Sequence, residues 1–196
     1  SADGLDQTKF SERIVVLRNQ RESSFAFSVN IGLEYLQKKG VKKTLVLNDD
    51  VKIKAEDCAQ LFQKWKPKQL ISPIIHQNSD FLHGITVKKW GRVLLLKKEQ
   101  KPDALLGACL LLPTELRFDT GFPHGFEDIE LSLRAKKEGY ELRVLTSVVC
   151  WHLGEASLSR KERKGQRYST YGYLRLFSSK RKAPIIGFLS LLQIIK

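Results

Sequence analysis

The chain has 196 residues, 42% of them hydrophobic and 28% charged, enough apolar material for a continuous core; this argues against a disordered or membrane-dominated protein. Its 34 Lys+Arg against 21 Asp+Glu leave a net charge of +13, a surplus that draws polyanions such as nucleic acid, anionic headgroups or diphosphate-bearing substrates. Eight of those 13 charges fall between Arg160 and Lys182, so the excess is regional.

Strand-like and helix-like patterns alternate along most of the chain, the mark of an α/β layer architecture. Arg13 to Asn19 is a short β-branched run. In "SVNIGLEYLQKKG", Val29, Leu33 and Leu36 have helical spacing, two lysines suit the negative helix end, and Gly40 stops the helix. "TLVL" (44–47) lacks alternation and reads as a strand buried on both faces. Cys58, Leu61, Phe62 and Trp65 form the stripe of an amphipathic helix, and "LISPII" is a further strand. Ile85 to Leu96 reads as a hairpin turning near Trp90-Gly91, followed by the polar loop "KKEQKPD". "ALLGACLLLP" is a buried strand closed by Pro113. Glu127 to Gly139 opens with acids and closes with lysines, the charge order a helix dipole favours, and "YELRVLTSVVCWH" supplies the last strands.

Three cysteines, Cys58, Cys109 and Cys150, are widely spaced among apolar neighbours and read as reduced core thiols of a cytosolic protein. No N-terminal signal peptide is visible, and no run reaches the roughly 18–20 apolar residues of a membrane span. The chain contains no Met, so Ser1 reads as a processed or trimmed beginning.

Three places carry candidate chemistry. Asn48-Asp49-Asp50 follows a buried strand, and ligands of open α/β sheets bind outside the carboxyl ends of strands. Asn48 and Asp50, at alternate positions, can hold one Mg²⁺ or Mn²⁺ together with substrate phosphates; the plainer reading is a solvated Asx turn. Glu127-Asp128 follows the loop "DTGFPHGF", where Phe122 and Phe126 can desolvate a carboxylate enough to make it a base; the alternative is that both acids serve the helix N-terminus. His152 also sits at a strand end and can ligate Mn²⁺ or meet a phosphate, or else is a hydrogen-bonded structural residue. His124, in the aromatic loop, and Trp90, at the hairpin turn, are candidates to touch an acceptor, whereas His76 and His83 have no pattern.

Taken in order, "NIGLEYLQKKGVKKTLVLNDDV", "GACLLLP" and "GFPHGFEDIELSLRAKKEGYELRVLTSVVCWHLGEAS" resemble the family 2 glycosyltransferases of the inverting GT-A type, particularly the bacterial branch that builds rhamnose- or galactofuranose-containing polysaccharides. The resemblance covers about the first four fifths of the chain. It implies a Rossmann-like mixed sheet flanked by helices, here without its first strand, because the family opens with a strand ending in a "T-Y-N"-like loop that this chain starts after. It also implies a nucleoside-diphosphate-sugar donor (UDP or dTDP), a divalent cation, and a glycan or lipid-linked acceptor. By position, Asp50 is the metal ligand of the DxD-like turn, with Asn48 in its first place and Asp49 at the donor. Asp128 is the general base, Glu127 its neighbour in the acceptor site, and His152 a metal or diphosphate contact. "SADG" resembles the end of a family turn and Asn30-x-Gly32 a helix opening, which makes Asp3, Arg18 and Asn30 donor-site candidates.

On this reading residues 1–157 form the catalytic domain and 158–196 a basic and then apolar extension. The extension either anchors at an anionic membrane surface, on the inner face of the cell membrane, or packs back on the domain. Two rivals are a nucleic-acid-binding module, which accounts for the tail but not for acids at the strand ends, and a non-catalytic scaffold. No nucleic-acid partner is expected.

Overall fold

The computed structural model describes residues 14–17, 24–88, 93–122 and 125–153. Helix α1 (Phe25–Lys38) starts at Ser24, whose side-chain oxygen accepts the Phe27 N–H at 3.3 Å. It ends at Gly40, φ +78°, where the Gly40 N–H reaches the Gln37 carbonyl and the Val41 N–H reaches that of Leu36. Glycine takes this left-handed position without the clash a Cβ would bring. Ser24→Ala is expected to cost about 1 kcal/mol. A lowered urea midpoint at unchanged slope would show it, and an unmoved midpoint would mean that the cap is idle.

Strands β1 (Lys43–Leu47), β2 (Val51–Lys52), β3 (Gln69–Gln77), β7 (Cys109–Pro113) and β8 (Glu141–His152) form a mixed sheet in the order β1-β7-β3-β8-β2. β3 runs parallel to β8 and antiparallel to β7, and β4 (Asp80–Leu82) adds to β3. β5 (Ile85–Val87) and β6 (Val93–Leu95) make a separate hairpin. Helix α2 (Ala55–Lys64) covers one face of the large sheet, and α1 with α3 (Glu127–Lys137) covers the other.

The core follows from strand alternation. On β7, Leu110 and Leu112 pack toward α1 and α3, while Cys109 and Leu111 pack toward Leu61 of α2. The same division places Leu70 on the first side and Ile71 and Ile75 on the second. A third, smaller cluster of Ile85, Ala104 and Ile129 seats the hairpin against the start of α3. The three cysteines are free thiols; the hydrogen bond with the neighbouring Cys150 and then burial push the Cys109 thiol well up. Among the described residues no helix is long and apolar enough to cross a membrane.

The fold departs from the sequence reading in four places. Residues 14–17 of the β-branched run enter no strand, and Ile14, Val15 and Leu17 are exposed. β1, expected to be buried on both faces, ends the sheet order; Val46 is buried but Leu47 is exposed, because among the described strands only β7 pairs with it. The run from Ala104 to Pro113 is strand only from Cys109, since 104–108 turns away to meet the hairpin and α3. Asn78 and Ser79, both at positive φ, close an extra hairpin between β3 and β4.

Candidate active site

The end of β1 delivers Asn48-Asp49-Asp50 into a tight turn, with the Val51 N–H donating to the Asn48 carbonyl at 3.3 Å. The chain then re-enters the sheet as β2, pairing Val51 with His152, and the Leu153 N–H donates to the Asp50 carbonyl at 3.2 Å. Two segments a hundred residues apart are thereby laced together by backbone. Asp49 points to solvent, whereas Asn48 and Asp50 are largely buried, as alternate positions on one side of a turn should be.

His152 Nε2 lies 3.1 Å from Asp50 Oδ1 and 3.5 Å from Asn48 Nδ2. Its other nitrogen, Nδ1, is 3.2 Å from Gln77 Oε1. An amide oxygen accepts, so Nδ1 carries the hydrogen, and in a neutral ring Nε2 then presents a lone pair to a carboxylate. Two acceptors facing each other at that distance are stable only with a proton or a cation between them. Asn48 Oδ1, moreover, is buried without a hydrogen-bond partner.

The Asp50 carboxylate and His152 Nε2, with the Asn48 amide beside them, offer oxygen and nitrogen donors of the kind that suits Mn²⁺, or Mg²⁺ with fewer nitrogen contacts, once the amide turns its Oδ1 in place of Nδ2 toward His152. Among the described residues no group of three His, Cys, Asp or Glu side chains is placed to hold a metal, so the described residues supply only part of a coordination shell here. Substrate oxygens and water are the usual remainder for magnesium-like ions.

The second pair of acids comes from the start of α3. Gly125 and Phe126 both adopt left-handed backbone, φ +78° and +70°, and turn the chain sharply into the helix. Asp128 Oδ2 accepts the Gly107 N–H at 2.9 Å, and Oδ1 accepts the Ile129 N–H at 2.8 Å. A Cβ on Gly107 would lie 2.9 Å from the Asp128 Cβ, which explains the glycine inside an apolar run. The next residue closes the circuit, since the Ala108 carbonyl accepts the Asn48 N–H at 3.0 Å. Gly107-Ala108 is thus the bridge between the two acidic places.

Burial raises both carboxyls. Desolvation, then the charge of Asp128, pushes Glu127 up to about 7, opposed by its own N–H and that of Gly125. Asp128 is raised by burial against the pull of its backbone donors. Folded Glu127 holds a proton that the unfolded chain releases near its ordinary value of 4.5. Its contribution to stability is therefore complete below that value and is lost as pH rises through about 7. Glu127→Gln cannot ionise, and is expected to flatten the fall in stability between about pH 5 and pH 8 by on the order of 1–3 kcal/mol. Urea midpoints at the two pH values measure this; an unchanged fall would contradict the raised carboxyl.

Asn30 is bonded to another segment. Its Nδ2 donates to the Phe118 carbonyl at 2.8 Å and its Oδ1 accepts the Phe118 N–H at 2.9 Å, a clasp that ties α1 to the segment after β7. Asp3, Arg18, Trp90 and His124 lie outside the described residues, as does the basic tail. Sequence reasoning missed Gln77, which has no motif, and Gly107, whose isolation within an apolar run was a legible sign of close backbone approach. A cavity of about 490 Å³ lies along the first half of β8, lined by residues including His83, Lys136 and Arg143, and includes none of the site residues above.

No protein-family model matches the chain, and no curated protein matches its sequence. Among solved structures, a crystal structure of GalNAc-T7 with UDP, GalNAc and Mn²⁺ aligns with a TM-score of 0.59 and 14% identity, over 83% of this chain and 36% of that one. At that identity the likeness is one of fold, and the fold is GT-A-like: a central mixed sheet flanked by helices.

Proposed function

We propose that the chain is a metal-dependent glycosyltransferase, moving a sugar from a UDP- or dTDP-sugar to a hydroxyl of a glycan or lipid-linked acceptor with inversion at the anomeric carbon. The observation that carries this reading is the lacing of Asn48, Asp50 and His152 at one sheet end, joined through Gly107-Ala108 to the Glu127-Asp128 pair. The GT-A-like fold supports it, as does the neighbour of that fold whose structure holds UDP and Mn²⁺.

In this mechanism Asn48 and Asp50 would hold Mg²⁺ or Mn²⁺ from the turn and His152 from β8, while Gln77 fixes the tautomer and plane of the imidazole. A cation held there would supply charge to offset that gathering on the departing diphosphate. The Glu127-Asp128 pair, largely removed from water, takes the acceptor proton. Asp49, Asp3, Arg18 and Asn30 belong to the donor side, and His124 and Trp90 to the acceptor side. Membership of the family 2 branch that builds bacterial surface polysaccharide would put the enzyme in the cytoplasm. There the segment 158–196 would hold it at the inner membrane face, near lipid-linked acceptors.

A panel of UDP- and dTDP-sugars with Mn²⁺ or Mg²⁺, scored for nucleoside diphosphate release, tests the proposal. Release with one donor, lost on adding EDTA and regained with Mn²⁺, is expected. Salt-sensitive binding of DNA or RNA without binding of either nucleotide would overturn it.

A further inference from the structure

We propose that Glu127 is the group that takes the proton from the acceptor hydroxyl, and that Asp128 is a positioning residue acting through the Gly107 loop. This rests on the glycosyl-transfer reading and reverses the roles that the sequence resemblance implies for the two acids.

The geometry distinguishes them. Both oxygens of Asp128 are engaged by backbone donors, Gly107 N–H on Oδ2 and Ile129 N–H on Oδ1. Its Cβ is packed so close to Gly107 that no side chain fits between them. A carboxylate so pinned holds a loop well, and a proton arriving on it would weaken the bonds that do so. Glu127 also meets backbone donors, its own N–H and that of Gly125, but its Oε2 is buried without a hydrogen-bond partner. An orphaned carboxylate oxygen in a native protein calls for a partner, and a substrate hydroxyl would be one.

The local backbone agrees. Phe126 holds φ +70° although it is not glycine, directly after Gly125 at +78°. Left-handed backbone at a bulky residue is costly and persists where the surroundings enforce it, often at working sites. Here it makes Glu127 the first residue of α3, where the helix gives its carboxylate a favourable field. Burial and then the charge of Asp128 raise Glu127, while its own N–H and that of Gly125 oppose them. A base whose proton affinity sits near neutrality is matched to removing a hydroxyl proton as the new bond forms.

In the step, the acceptor O–H bond breaks and its proton passes to Glu127 Oε2 while the acceptor oxygen bonds the anomeric carbon. The bond from that carbon to the diphosphate oxygen breaks, and its electron pair leaves with the nucleoside diphosphate.

The test uses the full chain, the donor found active in the panel and Mn²⁺. Wild-type kcat is expected to rise about tenfold per pH unit below its midpoint and then level. Glu127→Gln should lose about 10²–10⁴-fold in kcat with donor affinity unchanged by calorimetry, and should lose the pH limb. Glu127→Asp, which keeps a carboxylate, should recover part of the rate. Asp128→Asn should lose less in kcat, raise KM, and retain the limb displaced to lower pH, because a charge that raises Glu127 has gone.

Carboxyl ¹³C NMR of the wild type should show Glu127 titrating near neutrality, a readout independent of whether any variant folds. Glu127→Gln turning over within a few-fold of wild type, or keeping the limb that Asp128→Asn abolishes, overturns the assignment. So does a Glu127 midpoint at the ordinary carboxylate value. A wild type that releases nothing from any donor brings down the transfer reading itself, and this assignment with it.

Discussion

Asp50→Ala is expected to reduce sugar transfer by roughly 10³-fold or more, because a metal's stabilisation of a leaving diphosphate is worth several kcal/mol and each 1.4 kcal/mol is tenfold in rate. In the proposed metal site Asp50 is the carboxylate, with Asn48 contributing an amide and His152 an imidazole. Removing it takes away the negative charge that makes this place attractive to a cation. Mn²⁺ affinity by calorimetry should fall in parallel. Asp50 is also held by its backbone, whose carbonyl accepts the Leu153 N–H, so the β2–β8 pairing survives the substitution and the variant should remain folded. Transfer within about tenfold of wild type at saturating Mn²⁺ would end the metal role of this turn.

Gly107→Ala is the second large effect. The added methyl would sit 2.9 Å from the Asp128 Cβ and 3.3 Å from its Oδ2, both too close. Asp128 belongs to a helix and cannot swing away as the tip of a long side chain would, so the 107–108 segment has to move. That segment carries the N–H held by Asp128 and the carbonyl that receives the Asn48 N–H. Overpacking of this kind typically costs about 1–3 kcal/mol of stability. Because the displaced segment joins the acidic pair to the Asn48–Asp50 turn, we expect turnover to fall about 10²-fold, the scale of an ångström's misplacement in a site. Loss of stability with turnover intact would show that the bridge is structural only.

Much of the architecture was legible because burial imposes a period. Leu61 and Phe62 turn their side chains to the sheet as a 3.6-residue repeat must, with Leu61 fully buried, whereas Trp65, expected to continue the stripe, packs there from extended backbone just past the end of α2. Gly40 and Gly139, both at positive φ, end α1 and α3 where the patterns place them, Gly139 by the same pair of closing bonds to Lys136 and Ala135. Less legible were features set by partners distant in the chain. β1 reads as a strand buried on both faces because apolar runs look alike whether one neighbour or two pair with them. The amide of Asn30 meets the backbone of a segment 88 positions away, a partner that no local pattern announces.

The sequence by itself determined the alternation of strands and helices, the acids at a strand end, and the acids opening the last helix, because these follow from side-chain periodicity and helix electrostatics over a few turns. Tertiary structure alone decided which faces they share, and β8 shows why. Its first half turns odd positions such as Leu145 toward α2, and by that parity His152 would face the other way. Between the pairs Pro73–Leu145 and Ile74–Val149 the register slips, and three extra residues bulge out of the ladder. That odd insertion inverts the alternation, turning Val148, Cys150 and with them His152 to the α2 side, beside Gln77 and Asp50. A bulge is a property of two strands paired together, so one strand read alone holds no record of it.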